Sequence, residues 1–144
     1  MTQLTEHFTL EELTTTDHRE FDNTPNASET ANLTRLADFL EQVKEAVGGK
    51  PVMVNSAFRS AQVNAAVGSK ETSQHRIGCA ADIRVPGMTP DQVVKAIMAA
   101  GLAYDQLIRE FDRWTHISIT NDPKGKPRGQ TLIIDRQGTR LYSA

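Results

Sequence analysis

The stretch that restricts the fold most is SQHRIGCAAD, residues 73–82. It sets His75 and Asp82 seven positions apart around Gly78, and it fills the approach to Asp82 with Cys79, Ala80 and Ala81. A solvated loop has no need of so little side-chain volume. A backbone that bends and then packs closely does. The continuation alternates, so on a strand Ala81, Ile83 and Val85 share one face and Asp82 lies on the other. Trp114 to Ile119 alternates in the same way, with Ile117 and Ile119 on one face and Trp114, His116 and Ser118 on the other.

Helix signals come earlier in the chain. Thr9-Leu10-Glu11-Glu12 has capping-box spacing and predicts a short helix over residues 10–15. The polar run TTDHREFDNTPNAS reads as a loop, and Ser28 is the expected cap of a long helix. Leu33, Leu36, Ala37, Leu40, Val43 and Val47 recur at helical spacing before Gly48-Gly49 end the run. Pro51 to Val54 reads as a strand, residues 60–67 as a helical turn and VGSKETS as a loop. Thr89-Pro90-Asp91-Gln92 opens a helix that Gly101 ends. Leu107 to Arg109 and Thr131 to Asp135 are further strands, separated from one another by Trp114 to Ile119 and the turn-rich NDPKGKPRG. Helices followed by mixed strands argue an α+β fold, a small and mostly antiparallel sheet with helices packed against it. The 144 residues suit a single domain. Within it the expected parts are N-terminal helices (1–49), a central core (50–120) and a C-terminal strand region (121–144).

Charge is uneven: residues 1–45 carry seven more acids than bases, and residues 46–144 five more bases than acids. The basic part favours an anionic substrate mildly. No basic run interleaved with aromatics points to nucleic acid, and no apolar run spans a bilayer. MTQLTEHFTLEEL lacks the basic and apolar regions of a secretory signal. The single cysteine, Cys79, allows no internal disulfide and reads as a small buried hydrophobe.

Two histidines and a carboxylate, on or beside strand faces turned from the core, form a donor set suited to Zn²⁺ with one position left for water. Spacing alone leaves a chance grouping open, because the helical HExxH pattern is absent. Trp114 fits a substrate cleft or the core equally well.

Ser73, His75, Gly78, Ala80 and Asp82 form S-x-H-x-x-G-x-A-x-D, and Glu110, Trp114, His116 and Ser118 form E-x-x-x-W-x-H-x-S. Together they resemble the zinc D-Ala-D-Ala carboxypeptidase family, which includes the L-alanyl-D-glutamate endopeptidases used as phage endolysins. NSAFRS, with Arg59, resembles that family's S-x-[FY]-R-S element, and Asn64 and Gly68 fit the lead-in to the histidine motif. The resemblance covers residues 50–120 and thins on either side.

The resemblance implies the hedgehog/D-Ala-D-Ala-peptidase type of α+β fold. It implies His75, Asp82 and His116 as ligands of Zn²⁺, and Arg59 as the holder of a substrate carboxylate or of the polarised carbonyl. As a bare residue Arg59 also suits a surface ion pair. Many members carry an acid three positions before the last histidine, where this chain has Arg113. The general base then falls to Glu110 or Asp112, and Glu110 is favoured because a strand end is better fixed than a turn. The implied activity is hydrolysis of an amide bond in the peptide stem or cross-link of bacterial peptidoglycan. The expected carrier is a monomeric phage or prophage endolysin without stable membrane association, made in the host cytoplasm and acting in the periplasm or wall. Two readings stand against it: an inactive zinc-binding structural or adhesion domain, and a glycan hydrolase working with two carboxylates.

Overall fold

The computed structural model describes residues 2–142. Helix α1 (Leu10–Leu13) is closed by the expected box, in which Thr9 accepts from Glu12 N and Glu12 reaches back to the Thr9 backbone. Helix α2 (Ala27–Ala46) begins one residue before Ser28, so the expected cap is displaced. Asn26 takes that place: its side chain accepts from Glu29 N, and Glu29 accepts from Asn26 N, both at 2.8 Å. The loop between α1 and α2 is pinned by Asn23, whose amide donates to the carbonyls of Thr14 and Phe58 and accepts from Ser60 N.

Strand β1 (Met53–Ser56) precedes α3 (Ala61–Ala66), which Ser60 caps. A one-turn 3-10 helix, Gln74–Ile77, leads into β2 (Ala80–Arg84). Helix α4 (Pro90–Ala99) carries the predicted Thr89–Gln92 box with Pro in its first turn. Strands β3 (Gln106–Glu110), β4 (Trp114–Ser118), β5 (Gln130–Asp135) and β6 (Gly138–Leu141) complete the chain. The one-turn helix and β6 were not anticipated. β6 is exposed along its whole length, so no alternation marks it.

The six strands lie in the order β1-β2-β4-β3-β5-β6. Every pairing is antiparallel except β3 with β5, as the α+β reading requires. One face carries Ala81, Ile83, Leu107 and Ile117 into a single apolar core with Leu33, Leu36, Leu40 and Val43 of α2 and Val93, Val94 and Ile97 of α4. Each large aliphatic side chain buried there contributes about 1.5–3 kcal/mol. Helices thus cover one side of the sheet. On the other side Asp82 and His116 stand as direct cross-strand neighbours, with Ser56 facing Asp82 beside an irregularity in β1.

Candidate metal centre

His75 reaches the sheet from the one-turn helix. Ser73 Oγ accepts from His75 N at 3.2 Å and starts that turn. Gly78 ends it at φ 83°, a left-handed conformation costly for residues with a Cβ. A Cβ there would also meet Glu29 O and Leu33 Cγ at 3.0 Å. This is why the motif needs glycine: α2 lies directly against the bend. Arg76 pairs with Glu29 at 2.6 Å and Asn32 donates to Ile77 O, so α2 also holds the turn from outside.

The His75 ring is fixed at its far side, where Nδ1 donates to Ala57 O at 2.7 Å. That commits Nε2 of the neutral ring to accept, and it faces Asp82 Oδ1 at 3.4 Å. His116 Nδ1 approaches the same oxygen at 3.0 Å. The two rings meet edge to face, with centroids 5.1 Å apart. One donor atom from each of His75, Asp82 and His116 lies within 4.8 Å of the others. Burial pushes the His75 ring down, against the opposing pull of Asp82. Burial would raise the Asp82 carboxyl, but the adjoining histidines, led by the hydrogen bond from His116, hold it well below the ordinary carboxylate range. A neutral imidazole lone pair turned toward a buried carboxylate oxygen is an arrangement that a shared cation satisfies. An N₂O donor set with an anchored histidine suits Zn²⁺.

The rim holds two of the other candidates. Arg59 Nη2 lies 3.4 Å from Asp82 Oδ2, and its Nε donates to Ser56 Oγ at 3.2 Å. Burial lowers the Arg59 guanidinium, partly offset by Asp82 and Glu110. Glu110 Oε1 lies 3.9 Å from His116 Nδ1. Burial, then the charge of Asp82, raises the Glu110 carboxyl. Asp112 is not brought to the cluster: its side chain is 73% exposed and pairs with Arg109 at 3.2 Å. Trp114 lies opposite Glu110 in the β3–β4 register, with its ring 6.1 Å from that of Phe111. Cys79 is fully buried, and burial pushes its thiol up. His7 and His18 pair with Glu41 and Glu20, outside this cluster.

Two contributions escape a sequence reading. The Ala57 carbonyl that orients His75 is backbone and leaves no trace in residue type. Gln74 donates to Asp105 Oδ2 and to Ile119 O, tying the histidine turn to the starts of β3 and of the last loop. Only its position next to His75 hinted at this.

The family model described as peptidase M15 matches residues 6–118, a span that holds every residue of this cluster and stops short of β5 and β6. No curated protein matches the chain.

Proposed function

Because the chain belongs to the peptidase M15 family, whose members are zinc-dependent metallopeptidases, we propose that it hydrolyses an amide bond in the peptide stem or cross-link of bacterial peptidoglycan. The observation that carries this reading is the convergence of His75, Asp82 and His116 with Glu110 and Arg59 at the rim. His75, Asp82 and His116 would hold the metal. Zn²⁺ bound there supplies a Lewis acid and brings the pKa of a coordinated water toward about 7.

The protein's own groups do the rest. Glu110 takes a proton from the attacking water and returns it to the leaving amine, and its partly buried strand-end position favours that exchange. Arg59 offers a guanidinium to a substrate carboxylate, or to the carbonyl oxygen as charge develops on it. Ala57 keeps the His75 ring in one tautomer throughout. The α2 side chains behind Gly78 keep the turn from yielding. No described helix is long and apolar enough to cross a membrane. The activity proposed is that of a phage or prophage endolysin that meets the wall from the cytoplasmic side of a lesion.

Digestion of purified peptidoglycan should release new amino groups without new reducing sugar ends, and a zinc chelator should stop it. Reducing ends without amines would establish a glycan hydrolase instead. Mass spectrometry of the products names the bond: free D-alanine for a carboxypeptidase, a freed D-glutamate amine for an L-alanyl-D-glutamate endopeptidase, and a freed cross-link amine for a D,D-endopeptidase.

A further inference from the structure

The β3–β4 and β5–β6 hairpins point their tips out of the same end of the sheet, because β3 and β5 run parallel. Phe111 N donates to Ile134 O at 2.8 Å, which locks the two tips together. Between them lies an open cleft of about 670 Å³ whose charged lining is Asp112, Arg113, Asp135, Arg136 and Arg140, beside Phe111 and Trp114. Trp114 belongs to this cleft and also faces Glu110 across the β3–β4 pair. Trp114 is thus the one residue common to the cleft lining and the sheet face of Glu110 and His116, while Asp135 and Arg140 share the face of Arg109. Its β5–β6 wall lies beyond the residues that match the family.

Its charges are not balanced. Both Asp135 oxygens are taken by Arg140 at 2.8 Å, and Gln137 N donates to one of them. Asp112 is taken by Arg109. Arg113 and Arg136 have no carboxylate partner among the described residues. The lining thus sets three arginines against two carboxylates, an excess of positive charge that an anion would complement.

The aromatic side is held at a cost. Phe111 and Asp112 are consecutive non-glycine residues at φ 53° and 51°. Each such residue costs about 1–2 kcal/mol, and a turn of this shape favours Asn-Gly. This strain leaves Phe111 45% exposed beside Trp114. Strained backbone that displays an aromatic next to a reactive cluster is a feature of binding sites.

We propose that this cleft is a substrate subsite that holds a carboxylate-bearing stretch of the wall peptide. Arg113 and Arg136 take its carboxylates, and Phe111 and Trp114 pack against its apolar atoms. The inference rests on the peptidoglycan reading for the chemistry of the ligand. It adds a second cationic position, distinct from Arg59, on the far side of Glu110.

The test is fluorescence anisotropy with a labelled stem peptide carrying free carboxylates and with the same peptide amidated at those groups. The wild-type protein should bind the free form about tenfold more tightly, as two exposed arginine–carboxylate pairs allow. The Arg113→Gln/Arg136→Gln variant should lose most of that preference. A control with equal charge loss elsewhere, Arg19→Gln/Lys50→Gln, should keep it. A wild-type protein without the preference, or a double variant that retains it, overturns the subsite. The digestion assay separates the two readings. Amines released with no carboxylate preference keep the peptidase and remove the subsite, while a preference without released amines does the reverse.

Discussion

Glu110 closes β3 with its carboxylate 3.9 Å from His116, whereas Asp112, two positions later, sits on a left-handed turn and pairs with Arg109 in solvent. Both are acids within six residues of a metal-type histidine, so residue identity alone leaves the base open between them. Burial favours Glu110 in the proposed role: its carboxyl is raised by its surroundings, and a partly desolvated carboxylate is the better proton acceptor for a neighbouring reaction. Glu110→Gln should keep the fold and the bound zinc, measured by metal analysis, while lowering kcat by roughly 10²–10⁴-fold. Asp112→Asn should change kcat less than about threefold, since an exposed pair contributes little. An inactive Asp112 variant beside an active Glu110 variant would reverse the assignment.

At the scale of elements, the site depends on a bend that no ligand occupies. Gly78 lets the histidine turn pass into β2 while touching α2. Gly78→Ala combines a left-handed alanine with overpacking against Glu29 O and Leu33, and should cost about 2–4 kcal/mol. Urea unfolding measures the loss, and zinc affinity should fall with it because His75 shifts. Wild-type stability in that variant would mean that α2 is free to retreat. The bend was legible in advance because it joins a histidine, a glycine and small residues in ten positions. The strand faces of Asp82 and His116 were legible because both strands alternate. The cap of α2 was misplaced by two residues, since Asn26 and Ser28 are both good caps and the winner is set by Glu29 reaching back. β6 was invisible because GTRL buries nothing. The cleft at the hairpin tips was hidden for another reason: its two walls meet only once β3 and β5 pair in parallel, a long-range event with no local signature.

Across the whole molecule, Asp105 ties together segments far apart in the chain. Its carboxylate accepts from Arg128 N at 2.9 Å, from Arg128 Nη2 at 2.7 Å and from Gln74 Nε2 at 3.1 Å. Its backbone bonds Ser118 and Gln130. One buried acid thus joins the histidine turn, the start of β3, the end of β4 and the loop that leads to β5. Hydrogen bonds from Arg128 lower its carboxyl, outweighing the opposing effect of burial. A carboxylate lowered in the folded state contributes stability that is complete above its unfolded value, about 3.9, and that disappears as pH falls through the folded value. Asp105→Asn should therefore cost about 2 kcal/mol at pH 7, the scale of buried hydrogen bonds to a charged group. Arg128 is more than half exposed, so Arg128→Ala should cost only about 0.5–1 kcal/mol. The stability gap between wild type and Asp105→Asn, measured by urea unfolding, should narrow below about pH 4 as the wild-type carboxylate takes up its proton. Other acids titrate in both proteins, and their contributions cancel in the difference. A gap that stays constant from pH 7 to pH 3 would mean that Asp105 holds these segments by shape alone, with its charge contributing nothing.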